Sequence, residues 1–379
     1  MCKPFVEKAK EYIETLCNVT PNRRTGSPGN RSAIQFFSRM ITSWGYAVDT
    51  TPFACLDYEA GSAALKSGKE SFEVFISPYS NGCDVTSSLV TVGTVAELEK
   101  IECKGKILLM KDQICSEQLM PKNFVFYNPD HHKHIYALLE AKMPSAIVTA
   151  TSRKPEQVGA LYPYPIIEDG DFNIPVVFCT DIVGESIAKK SGRIFRLSAG
   201  GRRIPTTASN VIVSRHHSTN QKIVVCAHID AYGYSPGALD NATGTVVLLL
   251  LAELLKERNV KQWIEMVAFN GEDNYSAGGQ MDYMRRYGDD LSKIALAINI
   301  DDVGYKKGKT AFSLYCYPDT LKKQAEAVFN KYPTITRGED WYQGDHMNFV
   351  QQNIPTIAFT SDQIPELMAN IPYVCRCSR

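Results

Sequence analysis

The chain has 379 residues, 44% hydrophobic and 22% charged, the composition of an ordinary folded protein and by length one of about two domains. Its 41 basic and 41 acidic side chains cancel, which argues against nucleic acid or an anionic membrane as the main partner. The longest apolar stretch, Val246 to Leu255 with Glu253 inside it, is shorter than the ~20 residues that cross a bilayer, and "MCKPFVEKAKEYIETL" lacks the unbroken apolar core of a secretion signal, so a cytoplasmic location is expected.

In chain order, residues 4–17 and 30–44 carry apolar side chains at helical spacing: Phe5, Ala9, Tyr12 and Ile13, then Ile34, Phe36, Phe37, Met40 and Ile41. "NRRTGSPGN" separates them with Gly and Pro, and "GYAVDTTPF" alternates like a strand. From 57 to 205 the texture changes to short β-rich runs, "SSLVTVG", "GKILLMK", "SAIVTA" and "IPVVFC", interrupted by one helical segment, "HIYALLEAKM". This reads as a separate β-rich domain, with His131, His132 and His134 solvated. His216 and His217 read as a polar turn. The eleven cysteines lack framework spacing and read as small hydrophobes in a reducing compartment. Cys375 and Cys377 are the one close pair, a weak metal signal.

After residue 206, strands and helices alternate. "SNVIVSR", "KIVVCAHID", "WIEMVAFN", "IALAINIDD", "TAFSLYCY" and "IPTIAFTS" read as strands; "ALDNATGTVVLLLLAELLKERN", "GGQMDYMRRYG" and "TLKKQAEAVFNKY" read as helices. The expected fold class is α/β, with a mostly parallel central sheet covered by helices on both faces. Ligand sites in such sheets lie beyond the carboxyl ends of the strands.

Those ends carry the ionisable residues. His228 and Asp230 close one strand, Glu272 and Asp273 follow the next, Asp301 and Asp302 end a third, and Asp345 and His346 precede the last. A lone Asp at a strand end is commonly a turn or cap, and a lone His a structural hydrogen-bonder. Four successive strand ends of this kind are harder to explain so, because converging carboxylates repel unless cations neutralise them. Imidazole with carboxylates suits zinc, or manganese or cobalt. Asp240, read as standing at a helix start, is placed to bridge two metals, and Asp230 to fix the His228 tautomer. Of Glu272 and Asp273, one can hold metal while the other acts as general base toward water.

The segments "AHID…SPGALDNATGT", "AFNGED…GG", "NIDDVG" and "GDHMNFVQQNIP" resemble the zinc aminopeptidases of the bacterial leucyl aminopeptidase and aminopeptidase Y type, whose more distant members include glutamate carboxypeptidase II and glutaminyl cyclase. The resemblance covers residues 4–55 and 206–365 and implies the phosphorylase/hydrolase-like fold of zinc peptidases. It implies a discontinuous peptidase domain over 1–56 and 206–379, and a protease-associated domain inserted at 57–205. It further implies two metals. His228 and Asp301 would hold one, Asp273 the other, and Asp240 would bridge them, with a cis peptide after Asp240 and with Glu272 as general base. The implied reaction is hydrolysis of the N-terminal peptide bond of peptides with a free N-terminus. One departure stands out: the family's second metal takes a His from an H-T-x-x-D-T stretch, and here no His follows His346. The second site is therefore expected to be incomplete unless His346, with Asp345 beside it, substitutes. The alternatives are a catalytically silent relative serving as a binding module, and acyl transfer on an N-terminal Gln.

Overall fold

The computed structural model describes residues 2–363 except 21, 125–126, 155–160, 216–218, 234 and 259, so His216, His217, Cys375 and Cys377 lie outside the described residues. The described residues divide into two units, 2–55 with 206–363, and 56–205.

The first unit is built on an eight-stranded sheet, in the order Val48–Asp49, Val211–Arg215, Trp263–Phe269, Lys222–His228, Ile294–Ile300, Thr356–Ser361, Thr310–Tyr315, Ile335–Arg337. The four central strands, from Trp263–Phe269 to Thr356–Ser361, are mutually parallel. The strand Val211–Arg215 and the pairing of Thr310–Tyr315 with Thr356–Ser361 are antiparallel. Because strand side chains alternate in direction, Val225 and Ala227 join one core with Leu16, Phe37, Ile41, Leu248 and Leu249. Val224 and Cys226 join another with Tyr283, Phe349 and Ile354. Helices thus cover both faces, and the α/β reading holds. The stretch Ala238–Leu255 spans 18 residues with a mean hydropathy of 1.6. Its apolar side chains Val246, Leu248 and Leu249 lie in the core beside the helices Cys2–Cys17 and Pro28–Ser43.

Two local readings change. "GYAVDTTPF" forms two strands, Val48–Asp49 and Pro52–Glu59, because the Asp49 side chain accepts from both the amide and the hydroxyl of Thr51 and turns the chain there. In the second unit another eight-stranded sheet includes the parallel run Cys83–Val92, Ile107–Met110, Ala146–Thr151 and Val176–Thr180. Its described residues hold three helices rather than one: Val95–Lys100, Asp130–Lys142 and Asp181–Ala188. The two additional ones are short, but each is capped by a threonine hydroxyl, Thr94 or Thr180. His132, expected to be solvated, is buried on the inner side of Asp130–Lys142, between Glu117 and the Met120 amide. Cys17, Cys55, Cys83, Cys103, Cys115, Cys179, Cys226 and Cys316 are free, and Cys103, Cys115, Cys179 and Cys226 are buried.

At the amino end of its strand, Lys222 is buried 2.9 Å from Glu265 Oε1, which also accepts from the Tyr283 hydroxyl at 2.6 Å. The ammonium lies 5.6 to 5.8 Å from the ring centres of Trp263, Tyr283 and Tyr287. Removing one partner of a buried pair strands the other charge, which costs ~3–5 kcal/mol. Lys222→Met is expected to lose stability of that order in urea unfolding followed by tryptophan fluorescence. A loss under ~1 kcal/mol would show that Glu265 is satisfied without it.

Candidate metal centre

His228 ends its strand buried, with Nε2 3.1 Å from Asp240 Oδ1 and 3.2 Å from Asp301 Oδ1. Sheet register accounts for half of this. Cys226 pairs with Asn299 on the neighbouring parallel strand, so two residues on His228 is level with Asp301. Asp240 arrives on Ala238–Thr243, an irregular turn whose Asp240 and Asn241 are not helical (φ −109°, ψ 97° and φ −134°, ψ 47°). The regular helix begins at Gly244, so Asp240 does not stand at its first turn as expected. The Asp240–Asn241 peptide is cis. The turn is pinned by Asn241, whose Nδ2 donates to Ile300 O at 2.9 Å and whose Oδ1 accepts from Gly244 N at 2.9 Å. A Cβ on Gly244 would sit 2.3 Å from Ile300 O, so this approach requires glycine.

Asp230 is fully buried. Its Oδ1 accepts from Gly271 N at 2.9 Å and Glu272 N at 3.3 Å, and its Oδ2 accepts from Asp273 N at 3.1 Å and Thr25 Oγ1 at 3.1 Å. His228 Nδ1 faces Oδ1 at 3.6 Å. Burial alone would raise the Asp230 carboxyl, but the interactions with His228, the Gly271 amide and Thr25 outweigh it and hold the group below its ordinary value.

The other carboxyls are shifted the opposite way. Burial first, then the charges of Asp273, Asp301 and Asp345, push Glu272 well above the usual carboxylate range. Burial and the charge of Asp240 do the same to Asp273. Asp302, beside Asp240 and Asp301, is pushed up to about 9, mainly by burial. Burial lowers the His228 imidazole, yet the Asp301 charge and the nearby carboxylates of Asp230, Asp240 and Asp301 raise it well above its ordinary value. Such crowding penalises ionisation, and a divalent cation reverses the penalty.

The donor set fits such an ion. One ligand atom from each of His228, Asp240 and Asp301 lies within 4.8 Å of the other two, and Asp273 Oδ2 is buried without a hydrogen-bond partner. Nitrogen with carboxylate oxygens suits zinc, cobalt or manganese, and three protein ligands leave a position open. His228, Glu272 and Asp273 form a second group within the same span. In the second unit Glu117, His131 and His132 form a third. There His132 Nδ1 accepts from the Met120 amide at 3.0 Å, so the neutral ring carries its proton on Nε2 and has no lone pair for a cation on that side.

Asp345 and His346 are not brought into these groups. Asp345 is buried, accepts from Gln280 Nε2 at 2.6 Å, and is pushed up to about 7, mainly by burial. His346 Nε2 lies 2.9 Å from Trp341 O, and its ring packs 4.3 Å from Trp341 and 5.0 Å from Tyr315.

Residues missed by sequence reasoning hold the site up. Arg23 is buried and donates to the carbonyls of Leu16, Ile229, Pro236 and Gly237, the last three on the segment that carries Asp240. Asn30 and Asn270 exchange side-chain amide bonds at 2.9 Å each. The only sequence signal for Arg23, Thr25 and Asn30 is that all three fall in "NRRTGSPGN".

Residues 210–370 match peptidase family M28. The chain is 23% identical over 304 residues to the probable lipoprotein aminopeptidase LpqL of Mycobacterium tuberculosis, covering 76% of this chain and 56% of that protein. It is 26% identical over 208 residues to aminopeptidase YwaD of Bacillus subtilis, covering 52% and 44%. It thus spans about half the length of these relatives. Among solved structures it is similar in fold to an aminopeptidase from Aneurinibacillus sp. strain AM-1, with a TM-score of 0.72 at 22% identity over 94% of this chain and 84% of that one. It is likewise similar to BSAP, a zinc aminopeptidase from Bacillus subtilis, with a TM-score of 0.67 at 20% identity over 93% and 85%. The strand-end residues from His228 to His346 all fall inside the segment that matches peptidase family M28.

Proposed function

We propose that this chain is a zinc-dependent aminopeptidase, hydrolysing the N-terminal peptide bond of peptides with a free N-terminus. The observation that carries the reading is the meeting of Asp240 and Asp301 on His228 Nε2, with Glu272 on the adjoining loop beside Asp273. His228, Asp240 and Asp301 would hold zinc. Bound there, zinc would supply Lewis-acid polarisation of the scissile carbonyl and a more acidic water.

The chain's own residues do the rest. Glu272 takes the proton from the attacking water and passes it to the leaving amine; its buried surroundings raise its basicity above that of an exposed carboxylate. Asp230 sets where Glu272 stands by accepting the loop's amides. The Asp240 side chain is 51% exposed, so a substrate's α-ammonium reaching it from solvent meets a carboxylate. This favours a free N-terminus over a blocked one. Residues 57–205 are read as the protease-associated insertion, with "GKILLMK" and "SAIVTA" supplying the neighbouring parallel strands Ile107–Met110 and Ala146–Thr151. Retention of both the base and the nitrogen–oxygen donor set favours catalysis over a silent binding module.

Glu272→Gln is expected to lose ~10² to 10⁴ in turnover on a panel of aminoacyl chromophores while its metal content stays that of the parent. Near-parental turnover would remove Glu272 from the role of base. Asp230→Asn turns an acceptor into a donor facing backbone N–H groups and weakens the support of both His228 and the Glu272 loop. Its metal affinity, read by chelator competition, is expected to fall ~10- to 100-fold. Parental affinity would mean that the Gly271–Asp273 loop holds its place without this carboxylate.

A further inference from the structure

The family resemblance calls for two metals, but the described donors do not fit two. We infer that this chain holds one transition-metal ion tightly, at His228, Asp240 and Asp301, and that the position beside Asp273 does not retain zinc. The inference rests on the aminopeptidase reading of the same site.

The argument is about lone pairs. Both candidate groups in the first unit use His228, and an imidazole offers an outward lone pair on only one of its nitrogens when neutral. Its Nε2 stands between Asp240 and Asp301, while Nδ1 faces the Asp230 carboxylate and is the nitrogen that keeps the proton. Committed to the first group, His228 leaves the second, among the described residues, with Glu272 and Asp273. That is an all-carboxylate set, which suits magnesium, calcium or manganese better than zinc.

The other described imidazoles do not fill the gap. The sequence contains seven histidines. His131, His132 and His134 are partnered within the second unit by Glu117, by the Met120 amide with Glu117, and by Glu99. His216 and His217 lie outside the described residues. His346 is the near one. Its Nε2 is a donor to Trp341 O, so the free lone pair is on Nδ1, which is buried without a partner, and the ring is clasped by Trp341 and Tyr315. Bringing it to Asp273 would require breaking that bond and both ring contacts.

The test is metal content rather than activity. The chain is stripped with a strong chelator, reloaded with excess zinc or cobalt, and dialysed against a weak chelator. Metal is then counted by elemental analysis, and cobalt geometry is followed by visible absorption. About one equivalent is expected for the parent, the same for Asp273→Asn and for His346→Ala, and essentially none for His228→Ala, with far-UV circular dichroism confirming that each variant is folded. Two equivalents in the parent, falling to one in Asp273→Asn, would overturn the single-ion inference and leave the aminopeptidase reading standing. A fall from two to one in His346→Ala would overturn it by identifying His346 as the missing ligand. No retained metal in a folded parent would overturn the inference and the metal-dependent reading together.

Discussion

A single buried carboxylate holds the candidate centre in register. Asp230 follows His228 by two residues, yet its oxygens accept from the amides of Gly271, Glu272 and Asp273 and from the Thr25 hydroxyl. Three segments distant in the chain thereby share one acceptor. His228 together with these donors outweighs the cost of burying the acceptor and holds its carboxyl below the ordinary value. A buried carboxylate stripped of such donors would neutralise and release the amides, so the shape of the Glu272 loop and the charge of Asp230 are one quantity seen from two sides.

Around that anchor the loops are satisfied by side chains. Arg23 serves four carbonyls, Asn241 joins a strand end to a helix start, and Asn210 Oδ1 accepts from the Asn270 amide while its Nδ2 donates to Gly279 O. Loops this deep would otherwise carry unpaired backbone groups. The polar frame lets the clustered carboxylates and imidazole sit in a low-dielectric setting without the strand ends unravelling.

Much of this was legible in the sequence and part was not. The central strands declare themselves as apolar runs, and the acidic and imidazole residues fall where such strands end, so the rim of the sheet could be read from His228, Glu272, Asp273 and Asp301 alone. The quartet's meeting depended on register, which no local pattern fixes. Asp240 illustrates the limit: "ALDNATGTVVLLLL" reads as one continuous helix, while hydrogen bonding by Asn241 and the close approach of Gly244 to Ile300 O break it after the aspartate, and the regular helix starts only at Gly244. Arg23 and His132 illustrate another limit. Polar side chains are assigned to solvent by composition, and only tertiary partners, carbonyls for one and Glu117 with the Met120 amide for the other, bring them inside.

The Thr25–Asp230 hydrogen bond spans 205 residues of sequence, with the whole second unit between its ends. During translation at ~5–20 residues per second, the amino-terminal segment must therefore wait on the order of 10 to 40 seconds for its partner to leave the ribosome. The intervening unit, whose sheet is closed by its own strands, has that interval in which to fold. The two amino-terminal helices meanwhile expose Tyr12, Leu16, Phe37 and Ile41, which the finished molecule buries. Birth of this centre is consequently a late event, and those four side chains are where a nascent chain would call on a chaperone.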